Sequence, residues 1–212
     1  SKTFTLGEFS TEHYIYLEKL IIFLNENIND YGQLKRINFK EISGSIFAKE
    51  NLQKIINKNM LIAFGNDNLL NVDISSYHFG SKLGSDEIQG LIDKSPNLQN
   101  FKYSGFQSRE HPIFSFENLR NIIKIEFMDW KYSKSTIASL QYCDNLQYLV
   151  LVKCNNIEYL ENFPINKNWK LKCFDVPELR ITSEDKLLEL TKNFQCLEYF
   201  SATIVNVSTE KL

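Results

Sequence analysis

Few residues in this chain could carry chemistry, and they are dispersed. The three histidines, His13, His78 and His111, show no repeated spacing with Glu or Asp that would converge on a metal ion. His13 falls in a helical stretch and reads as a solvent-side residue, His78 follows a strand, and His111 precedes a proline. Gly80-Ser81-Lys82-Leu83-Gly84 has the glycines of a phosphate-cradling loop but lacks the Gly-Lys-Ser/Thr ending, so a turn explains it better. No nucleophile sits in a Gly-x-Ser-x-Gly elbow. Cys143, Cys154, Cys173 and Cys196 contain no Cys-x-x-Cys pair, which argues against a zinc site or a redox dithiol. Lying beside or within apolar strand segments, all four read as small buried hydrophobes, and that favours a reducing compartment. Asn206-Val207-Ser208 matches an N-glycosylation acceptor, a tripeptide that chance supplies often. The chain is therefore expected not to be an enzyme and to hold no cofactor or metal. A metabolic α/β enzyme is the least supported reading.

Composition narrows the class further. The 212 residues, 43% of them hydrophobic, are long enough to bury one sizeable core. A formal charge of −2 argues against a nucleic-acid or anionic-membrane surface, because a phosphate backbone calls for a clustered Lys/Arg field. No secretory signal or run of about 18 apolar residues is visible, which says little of a longer parent chain; the reduced cysteines are what lead to the expectation of an intracellular protein. The abundance of Asn, Ile and Lys reads as the codon bias of an AT-rich genome. Because Ser1 leads directly into the strand-like Lys2-Thr3-Phe4-Thr5-Leu6, a fragment of a longer protein is expected.

The elements are organised around residues 145–155, which read Leu-x-x-Leu-x-Leu-x-x-Cys-Asn from Leu146 onward. This is the form of a leucine-rich repeat: a short strand with alternate apolar side chains in the core, then a bend holding Cys or Asn. The apolar spacing recurs at Leu34/Ile37/Phe39, Leu69/Val72/Ile74, Leu98/Phe101/Tyr103, Ile122/Ile125/Phe127, Leu146/Leu149/Leu151, Leu171/Phe174/Val176 and Leu197/Phe200/Ala202. Successive intervals are 35, 29, 24, 24, 25 and 26 residues; the later four suit such repeats, and the first is too long and calls for an insertion. Helices are expected over 10–29, with Leu17, Leu20, Ile21, Leu24 and Ile28 on one face, and over 51–62. Others are expected from the Ser85 cap to before Pro96, over 115–121 with Phe114, Phe116 and Leu119 inward, and over 136–142. A last helix is expected over 184–193, using Leu187, Leu188 and Leu190, whereas Pro164 predicts turns over 155–168. The predicted fold is α/β: one domain, 1–212, of about seven to eight irregular repeats forming a leucine-rich-repeat solenoid. Such a horseshoe arc carries a consecutive parallel sheet on its concave face and irregular helices outside.

Residues 86–101 and 137–149 resemble the helix followed by Cys-Pro-Asn-Leu-x-x-Leu phrasing of the cysteine-containing repeats in F-box/leucine-rich-repeat proteins. The resemblance covers residues 69–205 well and the first third loosely. It implies a repeat arc that recruits a protein substrate, while a separate F-box binds the Skp-type adaptor of a cullin-RING (SCF-type) ubiquitin ligase. No F-box-like segment is evident, so contact with the adaptor would fall to a region absent from this sequence. A repeat scaffold without any ubiquitin connection is the alternative.

Residues between the buried positions of each strand should face the concave surface. Met128, Tyr148, Val150, Val152 and Tyr199 then form an apolar and aromatic zone flanked by Lys124, Glu126, Asp129 and Asp175, whereas the N-terminal end of the face is polar and mixed in charge. Lys124, Glu126, Met128, Tyr148, Val150, Val152, Asp175 and Tyr199 are accordingly the candidate partner-binding residues.

Overall fold

The five apolar triads from Leu69/Val72/Ile74 to Leu171/Phe174/Val176 converge on a single buried layer. The computed structural model describes residues 2–6, 34–39, 64–75, 85–105, 112–131, 133–154, 157, 163 and 165–205. Its strands are β1 (Lys2–Leu6), β2 (Leu34–Phe39), β3 (Asn71–Ile74), β4 (Asn100–Ser104), β5 (Lys124–Met128), β6 (Tyr148–Val152), β7 (Cys173–Ile181) and β8 (Tyr199–Ile204). They lie side by side in chain order as one eight-stranded sheet, and every neighbouring pair is parallel. The expected α/β class and consecutive sheet are therefore observed. The registers align Phe4, Ile37, Val72, Phe101, Ile125, Leu149, Phe174 and Phe200 in one cross-strand row. From Val72 to Phe174 this row is buried, as is the next one, Ile74, Tyr103, Phe127 and Leu151.

A second regularity lies in the backbone. The N–H groups of Leu69, Leu98, Ile122, Leu146 and Leu197, the first members of their triads, each donate to the carbonyl three residues earlier at 3.0–3.3 Å, closing a turn ahead of the strand. In the unit of Leu171 the turn closes earlier, at Trp169. The carbonyls of Leu70, Gln99, Ile123, Gln147 and Lys172 then each accept two successive N–H groups from the next strand entry, as when Gln147 and Tyr148 donate to Ile123 at 2.8 and 3.0 Å. Buried backbone polar groups are costly unless paired, so this repeated pairing is what allows the turns to stack. Asparagines stitch the same level. Asn97 Nδ2 donates to the Asp67 carbonyl (3.0 Å), Asn121 Nδ2 to Asn97 Oδ1 (3.1 Å) and Asn145 Nδ2 to the Arg120 carbonyl (2.9 Å). The asparagine content that composition alone assigns to codon bias thus has a structural use.

Three helices expected from the sequence form, each on the connection between consecutive strands. The first, α1 (Ser85–Asp93), buries Ile88, Leu91 and Ile92 and carries Asp86 and Glu87 in its first turn, where the helix dipole favours them. Ser133 caps α2 (Lys134–Ser139), which tightens into a 3-10 turn at Leu140–Tyr142. The last, α3 (Glu184–Asn193), buries Leu187 and Leu190, but Leu188 is exposed and takes no part in the packing expected of it. The expected helices at 10–29 and 51–62 lie outside the described residues.

The helix expected at 115–121 does not form. Residues 112–116 instead run between α1 and α2, and the N–H groups of 113–116 alternate between the two. Ile113 and Ser115 donate to Ser85 Oγ and Gln89 Oε1 (3.1 and 2.8 Å), while Phe114 and Phe116 donate to Thr136 Oγ1 and Ser139 Oγ (2.8 and 3.0 Å). Side-chain acceptors on both flanks replace the intrahelical carbonyls, so an extended segment satisfies its backbone without a helix. Phe114, Phe116 and Leu119 nevertheless point inward as expected. There Phe114 stacks on Phe127 (5.7 Å between centroids), and Phe127 stacks in turn on Trp130 (4.6 Å). Trp130 Nε1 donates to the Pro112 carbonyl at 3.0 Å, giving a buried indole its partner.

Strand exits follow the same registration. Gly105 donates to the Met128 carbonyl and Asp129 to the Val152 carbonyl, at 2.9 and 3.0 Å. Asp129 and Lys153 both leave their strands with positive φ, 50° and 55°. A Cβ on Gly105 would stand 2.9 Å from the Asp129 carbonyl oxygen and 3.3 Å from the Tyr103 ring. Because the nearest atom is backbone, relief would require separating two strand exits. Gly105→Ala should destabilise the protein by about 1–3 kcal/mol, an overpacking cost that urea denaturation would measure. An unchanged denaturation midpoint would contradict this close approach.

Candidate functional site

Each strand that buries alternate residues must present the intervening ones on its other face. The cross-strand rows there are Arg36, Asn71, Asn100, Lys124, Tyr148, Cys173 and Tyr199, and then Asn38, Asp73, Lys102, Glu126, Val150, Asp175 and Ser201. Met128 and Val152 pair in a third. All eight candidate residues, Lys124, Glu126, Met128, Tyr148, Val150, Val152, Asp175 and Tyr199, fall on this face. Seven are half-buried and Tyr199 is 53% exposed. Ser104, which pairs with Met128 in that third row, is buried. The register also ends early on one side. Pro177, which has no N–H to donate, lies where the β7–β8 pairing lapses between Asp175 and Arg180. Beside this gap the Lys153 N–H finds a carboxylate instead of a strand carbonyl, Glu178 Oε1 at 2.8 Å.

The polar half holds a feature that the candidate set only grazes. Arg36, Asn71, Asp73, Asn100, Lys102, Lys124 and Glu126, together with Val72 and Phe101, line a groove of about 350 Å³ across β2–β5. Its centre is an ion triad: Lys102 Nζ lies 2.8 Å from Glu126 Oε1 and Lys124 Nζ 2.9 Å from Glu126 Oε2. Burial raises the Glu126 pKa, but the hydrogen bonds and charges of the two lysines outweigh it and hold the carboxyl below its usual range. Beside the triad, Asn100 Nδ2 donates to Asn71 Oδ1 at 2.7 Å, and Asp73 Oδ1 accepts the Ser75 N–H at 3.1 Å. Only Lys124 and Glu126 belong both to this groove and to the residues singled out by sequence. Lysine and glutamate at alternate positions of β5, with lysine opposite the glutamate on β4, is the pattern that could have revealed the rest.

The cysteines depart from the expectation that all four are buried. Cys143 and Cys154 are buried, and desolvation pushes both thiols up to about 12, so they remain protonated at neutral pH. Their sulfurs lie 3.8 and 3.7 Å from the Phe116 and Phe127 carbonyls of the preceding unit, which places Cys154 at the bend as its motif predicts. Cys173 occupies the outward row and is half-buried, and Cys196, in the turn before β8, is exposed. The histidines, the Gly80–Gly84 loop and Asn206-Val207-Ser208 lie outside the described residues. Among the described residues no group of three His, Cys, Asp or Glu could hold a metal ion, and no helix is long and apolar enough to cross a membrane. No family model, characterised protein sequence or solved structure matches the chain.

Two outcomes follow. Because the folded pKa of Glu126 is depressed, its contribution is present above the unfolded pKa of about 4.3 and is lost as pH falls through the folded value. With its lysine partners 34% and 42% exposed, the triad contributes on the order of 1 kcal/mol. Glu126→Gln should therefore lower the thermal midpoint by about 2–4 °C near neutrality and by less in acid, around pH 3. An equal difference at both pH values would refute the charge assignment. Alkylation by iodoacetamide followed by mass mapping should modify Cys196 first and reach Cys143 and Cys154 only on unfolding.

Proposed function

We propose that this chain is a leucine-rich-repeat solenoid serving as a protein–protein interaction module. The observation that carries the reading is the consecutive parallel sheet, in which one face is buried by repeating apolar rows while the opposite face presents side chains from strand after strand. Units that bond only to their sequence neighbours are how repeat proteins build extended binding surfaces. At about 4.8 Å per strand, eight strands span roughly 34 Å, enough for a standard interface of about 800 Å² per partner. The half-buried Met128, Tyr148, Val150 and Val152, with the exposed Tyr199, give this face an apolar anchor beside charged residues.

The finer reading is the substrate-recruiting arc of an intracellular F-box protein, with the Skp-type adaptor bound through a region outside these residues. Its support is the helix-to-strand phrasing of residues 86–101 and 137–149, since α1 leads to β4 and α2 to β6. The binding reading requires neither an enzyme activity nor a cofactor, and it takes a protein substrate, with no nucleic acid or membrane as partner.

Affinity capture from the source cells, followed by binding measurements with the captured partner, tests the module. Tyr148→Ala combined with Val150→Thr should weaken that complex at least tenfold, because truncating an aromatic anchor typically costs about 2 kcal/mol or more. Threonine is the better replacement at 150, since an aspartate there would stand between Glu126 and Asp175 in the same row. The thermal midpoint should move by no more than about 2–4 °C. Undiminished binding would exclude this face as the interface, and collapse of the fold would mean that these side chains serve the core. Co-purification of a cullin-RING adaptor with the parent chain separates the ubiquitin-linked arc from a scaffold without it.

A further inference from the structure

The groove across β2–β5 has an asymmetry that its net composition hides. In the triad, the carboxylate is the deeper group and the ammonium groups are the outer ones: the side chain of Glu126 is 13% exposed, against 34% for Lys102 and 42% for Lys124. Each carboxylate oxygen takes one lysine. An ammonium group has three donors, so each lysine keeps further donors for an incoming acceptor. Two cations against one half-buried anion leave the triad with a net positive charge. Arg36, in the cross-strand row that holds Lys124, is exposed and has no ion pair among the described residues. Asp73 is the opposing charge, and one of its oxygens is already engaged by the Ser75 N–H.

The rest of the face bears on what would enter. Lys124 pairs in register with Tyr148, and Glu126 with Val150, so the cationic rim passes to the apolar zone from one strand to the next. That step is about 4.8 Å, less than two residues of an extended chain at roughly 3.3 Å each. A groove of about 350 Å³ is at the lower end for ligand sites, room for side chains more than for a folded element. Nucleic acid is the poorer fit, because three cations interspersed with two carboxylates do not make the clustered basic field a phosphate backbone needs.

Resting on the interaction-module reading above, we propose that the Arg36–Lys102–Lys124 groove binds an acidic side chain of an extended partner segment. A bulky apolar residue about one to three positions away in that segment lies on Tyr148 and Val150. The face thus recognises a short acidic–apolar motif, with the charge fixing where the apolar residue lands.

Panning a random dodecapeptide display library on the full chain tests this. Selected peptides should carry Asp or Glu within about three residues of an aromatic or aliphatic residue. For a labelled synthetic copy of such a peptide, Arg36→Glu and Lys124→Gln should each raise Kd by about tenfold. Raising NaCl from about 50 to 300 mM should weaken it severalfold. Arg36 is exposed, and Lys124→Gln leaves the Lys102–Glu126 pair in place, so both variants should keep the wild-type circular dichroism spectrum. Peptides without acidic residues that respond only to the Tyr148→Ala, Val150→Thr variant would overturn this inference and leave the module standing. Peptides indifferent to all three variants, or no selection at all, would count against both. Tight binding of a thymidine dodecamer, lost on Arg36→Glu, would replace the acidic side chain with a phosphate backbone and refute the proposal.

Discussion

The structure depends on one constraint: a strand in this sheet has no hairpin partner, so every backbone donor and acceptor at its entry must be matched by the units immediately before and after it. The doubly accepting carbonyls of Leu70, Gln99, Ile123, Gln147 and Lys172 meet that demand at equivalent points of successive units. Once these are fixed, the two-residue alternation of side chains is fixed as well. Val72, Phe101, Ile125, Leu149 and Phe174 fall into one buried row because their main chains are locked in register. The same lock sets the outward rows, so the spacing of charges on the face follows from the main-chain bonds beneath it.

Where the pattern is disturbed, a local cause can be named. Pro177 removes a donor, the pairing of β7 with β8 lapses beside it, and Glu178 supplies the acceptor that Lys153 would otherwise lack. The connection at 112–116 gives up helical bonding and is held instead by Ser85, Gln89, Thr136 and Ser139 on the helices to either side. Each irregularity keeps the backbone satisfied by borrowing a side chain from an adjacent unit.

Much of this was legible in the sequence, because apolar periodicity is a direct image of burial. The triads located β2 to β8, the inward positions of β3 to β7 were assigned to the correct face, and the helices around residues 85–93, 134–142 and 184–193 were visible from caps and spacing. The missing helix at 115–121 was not legible, since the acceptors that displace it lie more than 20 residues away in either direction. The burial of Cys143 and Cys154 was legible but the exposure of Cys196 was not: it adjoins an apolar leucine yet sits in a turn, where adjacency says nothing of depth. The polar groove escaped for a related reason. Its lining comes from four strands spread over residues 36–126, so it emerges only when the alternate positions of those strands are laid side by side in register, with Lys102 opposite Glu126 and Asn100 opposite Asn71.

Because each strand is bonded only to its predecessor and successor, the sheet can lengthen or shorten by whole units without any other pairing having to change. Duplicating or deleting the segment between two equivalent turns would preserve the apolar rows. The effect of such a change on the open face would differ with position. A unit gained between β6 and β7 would widen the gap from Tyr148 to Cys173, whereas one gained between β4 and β5 would part Lys102 from Glu126 and dismantle the triad. Of the ion pairs among the described residues, Lys102–Glu126 alone crosses a strand junction, so an insertion there alone would break a charge pair on the open face.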